Sequence, residues 1–437
     1  MKAVRYHLSI PRYLLQRALG RRWPALYYRA PFSCLRLDEI APPALPGPGW
    51  GRIRPRLAGI CGTDMGTITG KNSPSLSPFV SFPAVLGHEV VGELVEVGSG
   101  AATAGPLQVG QRVVIDPALP CHARELTPAC PACQRGETYL CERTADGRFA
   151  PGIILGFCRD LPGAWAEEMV APLDQMFDVP DELSDEQAVL VEPLSVAIRA
   201  VLRGWPKTRG EQVLVMGAGT IGLSLVAALR LLGAAAHVTV TARYGFQEEM
   251  AYRLGADKVY RGREAALAAA RQEVGVRSYR PVLGPPVYTS GFDTIFDSIG
   301  SHATVDQALR LTRAGGRVVL VGAAGQLPAL DWTFVWSREL SIIGSCGYGR
   351  EHQLPASVAS WFAASPGRPR TPTQASTSPA PHTFEITLEA LRRHPDYPVA
   401  DLVTHRFPLA AFRQAVALNV HHGAHKVIKT IFEFKNN

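Results

Sequence analysis

A glycine-rich turn between an apolar strand and a helix constrains this 437-residue chain more than any other feature. The turn GAGTIG follows the apolar run Val213–Met216 directly. Its first glycine permits a tight turn, its second lets the backbone approach a pyrophosphate, and its third lets helix and strand pack closely. The helix then presents free N–H groups to phosphate oxygens. We predict that a dinucleotide is bound by Gly217, Gly219, Thr220, Ile221, Gly222 and, in the later turn VGAAG, Gly322.

Apolar strands alternate with helical patterns around this turn. From Gln212 the chain reads QVLVM, TIGLSLVAALRLLGAA, HVTVTA and FQEEMAYRLGA, and later DTIFDSIG and RVVLVGAAG. This alternation predicts a parallel, doubly wound α/β sheet. Residues 40–190 instead carry short alternating runs rich in Gly, Pro and Val, such as Val90–Val97, which are typical of a β-rich domain.

The strand after the turn indicates which dinucleotide fits. An NAD site usually ends this strand with Asp or Glu, which binds the ribose 2′-hydroxyl. Here His237–Thr241 is followed by Ala242 and Arg243, with no acid at the tip. A guanidinium can pair with a 2′-phosphate through two hydrogen bonds. We therefore predict a preference for NADP(H) over NAD(H), with Arg243 contacting the phosphate; the alternative is a solvated surface arginine.

Four of the eight cysteines lie in one short stretch, which in a chain of this length favours a metal site over a disulfide framework. They are Cys121, Cys130, Cys133 and Cys141. Further upstream, Cys61 lies in the run GICGTD, and His88 and Glu89 follow in a GHE triplet. Thiolate, imidazole and carboxylate are all good zinc ligands.

These motifs occur in the order typical of one family. Besides those already quoted they include FPAVLGHEVVGELVEVG, VGQRVVIDP and VEPLSVA. With them the chain resembles the zinc-dependent medium-chain dehydrogenase/reductase family, from about the first strand to the last. With Glu192 in VEPLSVA the chain resembles the polyol, threonine and sugar dehydrogenase branch, which has glutamate where the alcohol dehydrogenases of animals and yeast have cysteine.

The resemblance implies an α/β fold with the active site in a cleft between two domains. A GroES-like, β-rich catalytic domain is expected over residues 1–191, and a Rossmann nucleotide-binding domain over 192–344. Residues 345–437 are expected to return to the catalytic domain.

The resemblance also implies a catalytic zinc ion. Cys61 and His88 would hold it, with Glu89 and Glu192 as direct or water-mediated ligands. Which glutamate binds the resting ion stays open.

The same resemblance implies roles for two further residues, Asp64 and Thr63. Asp64 would orient His88 by accepting its other ring N–H, and Thr63 would contact the substrate oxygen and pass its proton outward. Many relatives carry a histidine a few residues later. Because Met65-Gly66-Thr67 stands there instead, our predicted relay ends at Thr63, and the proton leaves either through water or through Glu89 or Glu192.

The cysteine cluster resembles the family's structural zinc site, which is closed and without catalysis. Cys130, Cys133 and Cys141 fit its last three members. The first is expected at position 127, which is Thr127, so Cys121 is the natural substitute and His122 the second choice. A site with three cysteines, or a lost site, is the alternative.

The leading hypothesis is therefore an enzyme that transfers hydride between a secondary alcohol, polyol or sugar hydroxyl and NAD(P), most of all NADP. Two alternatives keep the same fold: a non-catalytic sensor or structural protein that binds zinc and nucleotide, and a zinc-free quinone reductase. The intact set of candidate ligands counts against both.

Charge and hydropathy limit the classes of partner that we expect for this chain. Lys and Arg total 45 and Asp and Glu 38, and this mild excess is scattered, so we expect no nucleic-acid partner. No apolar run reaches the ~18 residues that span a bilayer, so we expect no membrane partner. The stretch Met1–Tyr6 favours a first strand over a targeting presequence, and we expect a cytoplasmic protein. The family resemblance implies a homo-oligomer, a dimer or tetramer joined partly through the Rossmann sheet edge.

Three remaining segments receive no function. The stretches Gly262–Gly291 and Ala364–His382 interrupt the pattern: the first combines an alanine-rich, helix-like piece with a loop, and the second is expected to be a surface loop. The cluster His421-His422-x2-His425 is expected to lie in a solvated loop.

Overall fold

The computed structural model describes residues 1–99, 107–363 and 380–435. The predicted surface loop over 364–382 lies outside these residues except for positions 380–382. Within the described part, the chain forms one parallel α/β unit and one mainly antiparallel β unit. The predicted α/β fold class, with a Rossmann sheet and a β-rich partner, is confirmed.

The N-terminal part is built from short strands and few helices, as its Gly- and Pro-rich sequence predicts. Its strands are β1 (Lys2–Tyr6), β2 (Leu35–Glu39), β3 (Trp50–Gly59), β4 (Ala84–Val85), β5 (Val90–Val97), β6 (Arg112–Ile115), β7 (Met169–Pro172) and β8 (Met176–Asp178). Its helices are α1 (Ile10–Leu19), α2 (Gly62–Ile68), α3 (Pro131–Gln134) and α4 (Asp185–Val189). The prediction of a strand within Met1–Tyr6 is confirmed.

The middle of the chain alternates strands and helices. These elements are α5 (Val191–Arg203), β9 (Gln212–Met216), α6 (Thr220–Leu231), β10 (His237–Ala242), α7 (Gly245–Arg253), β11 (Lys258–Arg261), α8 (Ala265–Glu273), β12 (Arg277–Tyr279), β13 (Val287–Thr289), β14 (Phe292–Asp297), α9 (His302–Leu311), β15 (Thr312–Leu320), α10 (Thr333–Ser337) and β16 (Ser341–Gly344). The parallel sheet has the order β11-β10-β9-β14-β15-β16.

The stretch Gly262–Gly291 corrects one expectation. Its alanine-rich piece is helix α8, as predicted, but the following segment is not simply a loop. There β12 and β13 pair as an antiparallel hairpin, with Arg277 opposite Thr289.

The C-terminal part rejoins the β-rich unit. Its elements are α11 (Ala356–Ala363), α12 (Thr383–Arg393), β17 (Val403–Pro408), α13 (Phe412–Val420) and β18 (Lys429–Glu433). Strand β18 pairs with β3, which gives a sheet of order β17-β18-β3-β5-β6-β8 with β7 also paired to β3. The last strand therefore lies next to the residues that precede Cys61.

Apolar burial holds β9 at the centre of the parallel sheet. Val213, Leu214 and Val215 are fully buried between β10 and β14. Burying each such side chain contributes about 1.5–3 kcal/mol to folding. This fixed strand sets the position of the glycine turn that follows it.

Candidate active site

The first turn of α2 ties two candidate residues together. Cys61 is its N-cap: the Thr63 N–H donates to Cys61 Sγ at 3.5 Å, and the Cys61 N–H donates to Asp64 Oδ2 at 2.9 Å. This reciprocal pair is a capping box with a thiol in the place of the usual hydroxyl. The fully buried Asp64 also accepts a hydrogen bond from the Gly87 N–H at 3.3 Å. The carboxylate thus links the start of α2 to the turn that carries His88.

His88 and Glu89 complete a compact group with Cys61. One sulfur, nitrogen or oxygen atom from each of the three lies within 4.8 Å of the others. His88 Nδ1 lies 3.7 Å from Asp64 Oδ1. Burial acts to lower the pKa of His88, but Asp64 and then Cys61 outweigh it and raise that pKa well above its ordinary value. The imidazole is therefore held between a carboxylate and a thiol.

Glu89 reaches this group because a glycine leaves room for it. A Cβ on Gly59 would lie 1.8 Å from Glu89 Oε2, so a larger residue there would displace the carboxylate. The same carboxylate forms an ion pair with Lys429 of β18. Lys429 Nζ also donates to the Ile60 carbonyl at 3.2 Å. Lys429 was not predicted; a lysine within the apolar run VIKTIF is the signal that could have found it.

Glu192 lies in the first turn of α5 and is buried. Among the described residues it is not part of the group within 4.8 Å. Burial, with Glu89 nearby, raises the pKa of Glu192 to about 7, although His88 and Lys429 act to lower it. The buried Tyr348 also acts to lower the pKa of Glu192, and Tyr348 was not predicted either.

The three clustered residues fit a zinc ion. Thiol, imidazole and carboxylate are the donors that zinc prefers in proteins. The unpartnered His88 Nδ1 faces Asp64, so an ion beside Cys61 would meet the other nitrogen of the ring. Glu89 Oε2 is buried and, apart from Lys429, has no partner among the described residues. Buried groups of this kind are costly unless a ligand or metal satisfies them.

The four cysteines of the second cluster lie together as free thiols. The Sγ atom of Cys141 lies 3.6 Å from that of Cys121 and 3.9 Å from that of Cys130. Backbone N–H groups of Cys130 and Arg143 donate to sulfur at 3.3 and 3.4 Å. Four sulfurs within 4.8 Å of one another, and N–H groups aimed at them, fit a closed zinc site.

Cys121 joins this cluster, whereas its neighbour His122 does not. His122 Nε2 lies 3.2 Å from Asp174 Oδ2 instead. A fully buried arginine, Arg124, holds the extra loop by donating to five backbone carbonyls. These belong to Leu119, Asp146, Phe149, Ala150 and Gly152.

A cleft of about 1010 Å³ connects Cys61 with the glycine turn. Gly217 has φ +96°, which favours glycine, and a Cβ on Gly222 would lie 1.9 Å from the Gly217 carbonyl oxygen. A Cβ on Gly219 would meet nothing within 4 Å, so the backbone borders open space where a pyrophosphate fits. Thr220 and Ile221 line the same cleft.

Gly322 lies next to the cleft but does not line it. A Cβ there would lie 2.4 Å from the Ile299 carbonyl carbon. The residue allows the turn after β15 to pack against Ile299, which does line the cleft.

The cleft has a basic mouth at the end of β10. Arg243 lies there, its guanidinium carbon 5.5 Å from the centre of the Tyr244 ring, and Arg263 lines the same wall. Arg263 was not predicted, although it follows β11 and the carboxyl ends of neighbouring parallel strands share one edge. His422, which was given no function, also lines the cleft, with its ring 6.2 Å from that of Tyr244.

Comparisons with known proteins match both halves of the chain. The family described as "Alcohol dehydrogenase GroES-like domain" matches residues 47–181, and the family described as "Zinc-binding dehydrogenase" matches residues 220–364. Among the described residues, no helix is both long enough and apolar enough to cross a bilayer.

Curated relatives are about a third identical. L-threonine 3-dehydrogenase of Shewanella loihica is 31% identical over 300 residues, covering 68% of this chain and 76% of that protein. L-idonate 5-dehydrogenase of Vitis vinifera is 32% identical over 316 residues, covering 71% and 77%. A solved structure described as a zinc-binding dehydrogenase of Sinorhizobium meliloti 1021, bound to NADP, has a TM-score of 0.67, 23% identity and 99% coverage of both chains.

Proposed function

The chain belongs to the zinc-type medium-chain dehydrogenase/reductase family, and we propose that it transfers hydride between the hydroxyl of a small secondary alcohol, polyol or sugar and NADP(H). One observation carries the proposal. Cys61 and the glycine turn line a single cleft, so a substrate beside the thiol and a nicotinamide beside the turn would meet in it.

Cys61 and His88 would hold the catalytic zinc, with Glu89 as the carboxylate within reach and Glu192 as the exchanging one. Bound zinc would lower the pKa of a substrate hydroxyl and so favour hydride loss from its carbon. Cys121, Cys130, Cys133 and Cys141 would hold a second, structural zinc.

The chain's own side chains position and deprotonate the substrate. Asp64 keeps His88 in place from the side opposite the thiol. The Thr63 hydroxyl lies 3.7 Å from Cys61 Sγ and is exposed. We propose that it accepts the proton of the substrate hydroxyl while it donates its own hydroxyl proton to water.

The charge of the cleft supports the preference for NADP. The described residues that line it include Arg243, Arg263 and His422 but no Asp or Glu. A 2′-phosphate would therefore meet only cationic or neutral groups, and two guanidiniums could bind its oxygen atoms. A ribose 2′-hydroxyl would find no carboxylate to accept its hydrogen bond.

A substrate panel tests the function. Purified, zinc-loaded protein is incubated with polyols, sugars, secondary alcohols and 3-hydroxy amino acids, and reduced nicotinamide is followed by absorbance with NADP⁺ or NAD⁺. We expect turnover with at least one class and a lower KM for NADP⁺. Tight binding of zinc and NADP⁺ without turnover across the panel would favour the non-catalytic sensor instead.

We also propose the domain limits 1–191, 192–344 and 345–437, and assembly of two or more copies through β16. This strand is the edge of the parallel sheet, and the exposed Trp332 and Trp336 lie just before it. Light scattering on the purified protein tests the assembly, and a monomer at micromolar concentration would contradict it.

A further inference from the structure

A second cavity, of about 370 Å³, lies apart from the nucleotide cleft, where α1, β2 and α13 meet. Three arginines, one from each of these elements, line it: Arg12, Arg36 and Arg413. Asp38 is the only acid among its lining residues, and the others are apolar.

That single carboxylate already has partners. Asp38 Oδ2 lies 2.7 Å from His7 Nε2 and 3.5 Å from Arg5 Nη1. Within residues 1–99, 107–363 and 380–435, the guanidiniums of Arg12 and Arg36 have no carboxylate within ion-pair distance. Arg413 contacts the ring of its neighbour Phe412, 4.7 Å from the ring centre, and is not in an ion pair there either. The cavity therefore has an excess of positive charge.

The backbone places one of these three arginines opposite a fourth, Arg5, which does not itself line the cavity. Arg5 and Arg36 are directly opposite each other in the antiparallel pair β1–β2. Like charges in this position destabilise a sheet, and a concave wall concentrates their potential. Residues 1–37 contain no Asp or Glu that could offset it. A bound anion would offset this repulsion.

The wall that carries Arg12 is fixed in place. The Gln16 side-chain amide of α1 donates to the carbonyls of Leu26 and Phe32 at 3.0 and 3.1 Å. The Ser33 hydroxyl donates to the Tyr27 carbonyl at 2.8 Å. These bonds hold the backbone of α1 against the chain that leads into β2, so that this wall of the cavity is preformed, whereas Arg36 and Arg413 are exposed. This segment also precedes residue 47, where the GroES-like family match begins.

We propose that this cavity binds a small phosphoryl-type dianion, held by the guanidiniums of Arg12, Arg36 and Arg413. Three guanidiniums on three elements could each donate to one of the three terminal oxygen atoms of a phosphoryl group. The inference does not depend on the proposed dehydrogenase activity. The site is separate from the one assigned to the nucleotide.

Calorimetric titration of the zinc-loaded protein with inorganic phosphate tests this site. Saturating NADP⁺ is present so that the nucleotide cleft is filled, and chloride at equal ionic strength is the blank. We expect saturable binding that R12Q, R36Q and R413Q each weaken about tenfold. R21Q, an exposed arginine of the same segment outside the cavity, is the matched control and should bind as wild type does.

Two further measurements keep the test decisive. In phosphate-free buffer the three variants should unfold at the same temperature as wild type or a higher one, because they relieve repulsion. Phosphate should raise the unfolding temperature of wild type and R21Q alone. Absence of saturable binding, equal weakening by R21Q, binding of succinate but not phosphate, or variants destabilised in phosphate-free buffer would each overturn the proposal.

Discussion

The Lys429 ammonium forms an ion pair with the Glu89 carboxylate, and their side chains are only 2% and 1% exposed. One belongs to the last strand of the chain and the other follows His88. The glutamate is therefore tied to β18 by an ion pair while it lies within reach of Cys61 and His88, and its freedom to approach an ion depends on Lys429.

Removing the lysine should leave a buried carboxylate without compensation. We expect K429M to lower the free energy of unfolding by about 3–5 kcal/mol, measured in urea. In the double variant K429M/E89Q the buried charge is gone, so most of this loss should be recovered. Strictly additive losses in the two single variants and the double variant would show that the two residues do not interact.

Substitutions should distinguish the roles of the two candidate metal sites. C61S should abolish turnover and remove about half of the zinc, measured by atomic absorption, with the other site intact. C133S should remove a similar share of the zinc but act mainly on stability, with a lowered unfolding temperature. A C61S protein that keeps full zinc content would contradict our assignment of the catalytic ion.

The hydroxyl of Thr63 should matter for chemistry rather than for binding. T63V has a similar shape without the hydroxyl, and we expect it to lower kcat by roughly 10²-fold while zinc content and NADP⁺ affinity stay unchanged. T63S, which keeps the hydroxyl, is the control and should retain most of the activity. Wild-type turnover in T63V would remove Thr63 from the proton path.

The sequence predicted the parts of the site that are local in the chain. The turn Gly217–Gly222 and the first turn of α2 each depend on residues within a few positions of one another. Lys429 could not be placed in this way, because it contacts Ile60 across 369 positions and does so only through the pairing of β18 with β3.

The walls of the nucleotide cleft could not be predicted from the sequence either, because they are formed by residues that are distant in the chain. From the sequence, His422 is expected in a solvated loop with no function. In the folded chain that loop packs against the start of α7: a Cβ on Gly423 would lie 2.1 Å from the Tyr244 hydroxyl. Only the fold shows that His422 and Arg243 border one cleft.

The arginines at the cleft mouth should determine the choice of cofactor. We expect R243Q, and separately R263Q, to raise KM for NADP⁺ about tenfold or more and to leave KM for NAD⁺ nearly unchanged, because only NADP⁺ carries the 2′-phosphate. R261Q is the matched control, since Arg261 lies between them in sequence but pairs with Glu248. Equal effects on both cofactors would contradict the phosphate contact.

His422 should make the binding of NADP⁺ depend on pH. Burial, then Arg243 and Lys71, hold its pKa below the ordinary value, against a raising contribution from Asn419. The imidazole is therefore neutral in the empty cleft at neutral pH. A 2′-phosphate would offset the two cations and favour protonation, so NADP⁺ binding should take up a proton.

The sign of the effect follows from this uptake. From about pH 8.5 to about pH 6.5, Kd for NADP⁺ should fall by up to about tenfold, while Kd for NAD⁺ stays nearly constant. Below about pH 6 the trend should reverse as the phosphate itself gains a proton. H422Q should flatten the profile, and H421Q should not, because His421 is not among the residues that line the cleft. Fluorescence titration at each pH measures both constants, and parallel profiles for the two cofactors in wild type would exclude His422 from the phosphate site.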